Sequence, residues 1–174
     1  MIRPPALHRL LALPILLAAL LMLAGCSSEA EKRYNQAIEA ERHQDWEQAR
    51  ELYQAALALD AELAEAHINL GALALRLKQL DLAEQHSHQA LQLLEHKKKS
   101  LVRGFSWEKQ AGLACNNLAS VAFERVLQAQ QAADDEILRQ QLALAREWID
   151  KALALDPDNE KFQHHQRFLH LWPN

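Results

Sequence analysis

The sequence predicts an all-α protein built from helical hairpins, and three observations predict it. Proline occurs at 4, 5 and 14 and then only at 157 and 173, so residues 15–156 hold no breaker of that kind. Within that stretch Ala, Leu, Glu and Gln dominate, all good helix formers, and runs of β-branched residues are absent. Residues 64–94 repeat the skeleton of residues 30–60 at a spacing of 34. With Ala30 and Ala64 as position 1, small residues stand at position 8 (Ala37, Gly71), position 20 (Ala49, Ala83) and position 27 (Ala56, Ala90). Leu57 and Leu91 share position 28, and Leu59 and Leu93 share position 30. Two antiparallel helices need small side chains where their backbones cross closely. The formal charge is −4, and about −6 without Arg3 and Arg9, which disfavours nucleic acid, a ligand that wants a basic face.

The chain begins with Arg3, His8 and Arg9, followed by an apolar run from Leu10 to Ala24. Fifteen residues are short for a spanning helix, which needs about 20, and suit a secretory leader. The run ends Leu23-Ala24-Gly25-Cys26, which resembles a bacterial lipobox. The resemblance implies a signal peptide over 1–25, cleavage before Cys26, and a lipid-modified (palmitate-bearing) Cys26 at the start of a mature domain over 26–174. A plain signal peptide or an uncleaved anchor is the competing reading. Ser27 rather than Asp follows the cysteine, which by the sorting rule of enteric-type bacteria implies the outer membrane, facing the periplasm. Ser28 and Glu31 form a capping box, so the first helix is expected to start almost at the lipid.

Helix 1A is expected from about Glu29 to Arg42, with Asp45 capping helix 1B and Gln48 three residues on. Trp46 and Tyr53 fall at positions 17 and 24. Helix 2A is expected from about Leu63 to Leu77 and helix 2B from Leu80 to His96. This 34-residue pattern resembles the tetratricopeptide repeat, a helix–turn–helix unit that stacks into a curved solenoid. The chain departs from it at position 32, often Pro, where Ala61 and Glu95 stand; helix 1B is therefore expected to run on further towards helix 2A.

The repeats occupy about 30–63, 64–97 and 112–159, with a capping helix over 160–172. The third is stretched. Asn117, Leu118 and Ala119 take positions 6, 7 and 8, while Ala145, Ile149, Ala152, Leu153, Leu155 and Pro157 take 20, 24, 27, 28, 30 and 32. Fourteen extra residues therefore lie at the hairpin tip around residues 131–134, enough to lengthen each helix by about two turns. A second insertion, about 98–111, leads into helix 3A near Ser106; Phe105 and Trp107 are expected to pack under it. Lys97, Lys98 and Lys99 read as a solvated helix end, favourable against the dipole. Phe162, Phe168, Leu169, Leu171 and Trp172 make the last helix apolar, either to cover repeat 3 or to form a surface for a partner or a second copy.

Nothing here pairs a nucleophile with its base, and no Gly-rich phosphate loop or HExxH occurs, so no enzyme, cofactor or metal is expected. His86 and His88 diverge on a helix, His164 and His165 are adjacent, and His67 faces its partner helix from position 4. Cys115, also at position 4, reads as a packed free thiol. The feature above background is Asn35, Asn69 and Asn117 at position 6 of helix A, which in this family lines the concave face. A carboxamide donates and accepts, and so can hold an extended peptide's backbone, as in the asparagine ladder of O-GlcNAc transferase; equally, it can bond stacked helices to one another. The same face would carry Tyr34, Ile38 and Arg42 in repeat 1, Ile68, Leu75 and Arg76 in repeat 2, and Asn116, Ser120 and Phe123 in repeat 3. The carboxylate clamp of chaperone-binding relatives is not reproduced, because positions 2 are Glu31, Glu65 and Leu113 and positions 5 are Tyr34, Ile68 and Asn116. The expected function is a membrane-tethered adapter for a protein or peptide partner, resembling lipoproteins that assist pilus, secretion or envelope assembly. The alternative is a homo-oligomer formed through the last helix or the long hairpin.

Overall fold

A computed structural model describes residues 29–98 and 105–172; Cys26, Ser28 and residues 99–104 of the second insertion lie outside them. All regular structure among the described residues is α-helical, and none of these helices is long and apolar enough to cross a membrane. The described residues fall into two compact units, one ending at Ala61 and the other beginning at Glu62. Hairpins in a repeat array contact only their neighbours, so such an array divides readily at a connection.

The first unit holds α1 (29–42) and α2 (Trp46–Leu59). Asp45 caps α2, its carboxylate accepting from the Gln48 amide at 3.1 Å. Ala37 and Ala49, at the crossing positions, are fully buried together with Tyr53. The Tyr53 ring lies 5.7 Å from that of Tyr34, and its hydroxyl donates to Glu41 at 3.1 Å. Helix α2 does not run on as the missing proline suggested. Asp60 turns to extended backbone (φ −141°, ψ 95°) while its amide still donates to the Ala56 carbonyl, so the helix stops at Leu59 without one.

The second unit holds α3 (Ala64–Arg76), α4 (Leu80–Lys97), α5 (Trp107–Ala132), α6 (Asp135–Leu155) and α7 (Glu160–Leu171). Each helix packs on the next, and α3 also packs on α5, the arrangement of stacked hairpins. Their shared core includes Ile68, Leu91, Leu94, Leu118, Val126, Leu142, Ile149 and Phe162, all nearly or fully buried. Ser106 and Asn159 cap α5 and α7, accepting from the amides of Lys109 and Phe162.

All three hairpins turn by one device. Gln44, Lys78 and Ala133 adopt left-handed backbone at φ 60°, 59° and 56°. In each case the next amide reaches back five residues, as Gln79 does to the Ala74 carbonyl at 2.8 Å and Asp134 to Ala129 at 3.0 Å. This is the Schellman stop, usually built on glycine. Ala133 thereby marks position 15 of the third repeat. It stands 14 residues after Ala119 where 7 are expected, and 12 before Ala145 where 5 are expected. The 14-residue insertion therefore divides evenly, two helical turns to each helix, which preserves the apolar stripe on both.

Two expectations about the connection before α5 are corrected. Phe105 is 47% exposed rather than packed under the loop; Trp107 alone is half-buried against the core. Nor is the lysine run merely solvated, since Lys97 pairs with Glu62 and the Lys98 ammonium sits 5.7 Å from the Trp107 ring centre. Helix α7 closes the unit by burying Phe162 and Leu169, each worth about 1.5–3 kcal/mol. The Arg146 guanidinium donates to the carbonyls of Leu169 and Trp172 and so ties down its C-terminus.

Candidate partner-binding face

Residues 113, 116, 117, 120 and 123 follow the 3–4 spacing that places side chains along one side of α5. The neighbours of that side are α3 and α7, and the structure gives its residues different work. Asn117 is 8% exposed and donates from Nδ2 to the Ile68 carbonyl of α3 at 3.0 Å. Of the two roles open to it, the asparagine therefore bonds stacked helices, and Ile68 itself is 4% exposed within the core. Neither offers a surface to a partner.

Asn116, one residue earlier, turns towards α7. It is 5% exposed, and its Oδ1 accepts from the Nδ1–H of His165 at 2.8 Å. Ser120 donates to the Asn116 carbonyl at 2.9 Å. Above them Phe123 meets Phe168 and Trp172 edge-on, with ring centres 5.3 and 5.1 Å apart, and those two rings lie 5.8 Å from each other. Between α5 and α7 this leaves a cavity of about 230 Å³, lined by Ala119, Ser120, Phe123, Glu124, His165, Phe168 and Leu169. Glu124 stands at its edge, bonded to the Lys78 ammonium at 2.6 Å. Phe168 is 46% exposed, so the cavity opens outward.

The remaining sequence candidates lie elsewhere. In α3, Asn69 is half-buried, Arg76 is exposed, and Leu75 packs on the cluster of Ala74, Leu80, Ala83 and Val121. In the first unit Asn35 is exposed, Tyr34 and Ile38 are half-buried, and Arg42 pairs with Glu39 at 3.2 Å. The cavity thus joins Ser120 and Phe123, with Asn116 behind them, to three residues of α7 that sequence reasoning had not assigned to the site: His165, Phe168 and Leu169. The apolar character of α7 was a signal for two of them. His165 gave none, because its partner is 49 residues away.

Burial, helped by the nearby Lys161 and His164 charges, pushes the His165 imidazole below its ordinary pKa, so it is neutral near pH 7. His67 and His86 meet between α3 and α4 with their Nδ1 atoms 2.9 Å apart, and burial followed by the His67 charge pushes His86 down as well. Cys115 is a buried free thiol whose pKa burial pushes up to about 12, so it is inert as a nucleophile near neutrality.

These hairpins, with small residues at their crossings and, in the second unit, α3 packed on α5, define an all-α fold of the tetratricopeptide type. A family model described as TPR repeat matches residues 43–78, which contain α2, α3 and their connection. Among solved structures, the chain is similar to the N-terminal domain of stress-induced protein-1 (STI-1) from C. elegans. That likeness has a TM-score of 0.60 at 18% identity and covers 83% of this chain and 97% of that one. No curated protein matches the chain in sequence.

Proposed function

We propose that the chain is a protein-interaction adapter, tethered to the outer membrane of a bacterial envelope by lipid on Cys26, that receives a partner segment on the face shared by α5 and α7. It performs no reaction of its own and serves the assembly of an envelope structure such as a pilus or secretion system. The observation that carries the binding reading is the outward-opening cavity walled by Phe123 and Phe168, beside the half-buried Trp172. Monomeric proteins keep contiguous apolar surface small unless it has work to do. The tetratricopeptide-type fold supports an adapter, and the Leu23-Ala24-Gly25-Cys26 sequence supports the tether.

A photoreactive phenylalanine analogue at 168 in living cells tests the reading. It should crosslink to one envelope protein, and the same probe at exposed Glu136 on the hairpin tip should not. Metabolic labelling with a palmitate analogue should mark the wild-type chain and not its Cys26→Ser variant. A wild-type chain that takes up no label refutes the lipid tether.

A second reading has its own observation. Leu171 is 84% exposed, which suits self-association through α7. Trp172 is a poor probe of it, because that ring also walls the aromatic cluster. Leu171→Asp is the clean one: a dimer in light scattering that this change dissolves would favour the oligomer.

A further inference from the structure

Resting on the partner-binding reading above, we propose that the cavity between α5 and α7 receives a tyrosine or tryptophan side chain of the partner segment, whose O–H or N–H donates to acceptors on the cavity wall. Size is the first argument. At about 230 Å³ the cavity is smaller than the roughly 300–1,000 Å³ typical of cofactor and small-molecule sites, and suits one large side chain.

Wall chemistry is the second. Ala119, Phe123, Phe168 and Leu169 supply apolar surface and two aromatic rings. The polar groups among them have committed their protons elsewhere. The Ser120 hydroxyl donates to the Asn116 carbonyl at 2.9 Å. The His165 Nδ1–H donates to the Asn116 Oδ1 at 2.8 Å, which fixes the neutral tautomer with its lone pair on Nε2. Glu124 is a carboxylate and has no proton to give. What the wall retains is acceptors only: His165 Nε2, the Ser120 oxygen and Glu124. An occupant without a donor, such as Phe or Leu, covers His165 Nε2 and the Ser120 oxygen without pairing them, while Glu124 keeps Lys78.

Charge is the third argument, and it separates a neutral donor from a cationic one. Lysine or arginine could also donate and sit against the rings. The Glu124 charge is already matched by Lys78 at 2.6 Å, and the Lys161 charge is felt at His165 on the same wall. A second cation would meet more positive charge than negative. Tyrosine and tryptophan, flat and apolar with one neutral donor, satisfy all three conditions.

The test pans a randomised peptide library against the full chain purified in detergent. Binders that lose the chain on Phe123→Ala are then synthesised with Tyr, Phe, Leu or Lys at the preferred position. The Tyr peptide should bind about threefold to tenfold tighter than the Phe peptide, the worth of one hydrogen bond made in place of an orphaned acceptor. His165→Leu should erase that preference while keeping the Phe peptide bound, and His165→Gln, which keeps an acceptor, should restore part of it. The wild-type ring gives a readout independent of those variants: its ¹⁵N shifts should show the Nδ1–H tautomer, with the Nε2 signal moving on addition of the Tyr peptide. Cavity-directed binders that prefer Leu or Lys overturn this inference and leave the partner-binding reading standing. Finding no binder sensitive to Phe123→Ala overturns both, as does a dimer whose α7 fills the cavity and is dissolved by Leu171→Asp.

Discussion

Gly71→Ala is expected to destabilise the second unit even though it replaces the second-worst helix residue with the best. A methyl built at Gly71 lies 2.6 Å from the Ser87 Oγ and 3.3 Å from the Ala83 carbonyl oxygen, both on the facing helix α4. Ser87 cannot yield cheaply, because it is fully buried and its hydroxyl donates to that same Ala83 carbonyl at 2.7 Å. Rotating it strands a buried hydroxyl, at about 1–3 kcal/mol, and spreading α3 from α4 costs a similar amount in lost packing. Helix propensity returns about 1 kcal/mol, leaving a net loss of about 0–2 kcal/mol, centred near 1. Ser87→Ala removes the obstructing oxygen and leaves the methyl against the Ala83 carbonyl at 3.3 Å and the Asn117 Nδ2 at 3.4 Å, both near ordinary contact. The double variant should therefore be more stable than the two single changes add up to, with a coupling of about 1 kcal/mol. Urea unfolding followed by circular dichroism on the four proteins of the cycle measures it. A Gly71→Ala protein more stable than wild type, or strict additivity in the double variant, would refute the close approach of α3 and α4 argued from these distances.

Four further outcomes are expected. Ala133→Gly should raise stability by about 1 kcal/mol, since glycine carries no penalty at φ 56°, and the same holds for Gln44→Gly and Lys78→Gly; thermal melts check all three. Stability should fall as pH drops below about 6.5, because the unfolded chain protonates His86 and His165 there while their folded pKa values are held lower, mainly by burial; His86→Gln should flatten its share of that slope in urea midpoints taken from about pH 7 down to about pH 5. Cys115 acts at the other end: with its folded pKa pushed up to about 12, stability should decline as pH rises above the ordinary thiol range near 9.0. In the same protein Cys115 should resist iodoacetamide at neutral pH and react only as fast as the second unit opens.

Helices and their phase were legible because they rest on short-range chemistry. Asp45 announces α2 as its capping residue, and small residues at positions 8, 20 and 27 announce the crossings. The turns were less legible, since none of the left-handed stops at Gln44, Lys78 and Ala133 carries the glycine that would mark it. All three are exposed, and the backbone hydrogen bonds that close each stop hold them there against local preference. Asn35, Asn69 and Asn117 share a position, yet their surroundings differ: the first is exposed, the second half-buried and the third bonded to a neighbouring backbone. Position within a repeat does not tell which neighbour a side chain will meet. The cavity was half legible for the same reason, because α5 contributes predicted residues, whereas His165 becomes meaningful only once α7 lies beside Asn116.

The even division of the long hairpin makes its tip a detachable arm. Lys78 meets Glu124 and Asp81 meets Arg125, so the α3–α4 turn stands level with residues 124–125 of α5. The seven residues of α5 beyond Arg125 carry its end at Ala132 about 10 Å past that level. Seven residues are so nearly a whole number of turns that removing seven from each arm and rejoining them at the stop would return α6 to the core at almost the same rotation. The arm can thus shorten in one step, or take a fluorophore at its apex, while Phe123 and His165 keep their places below.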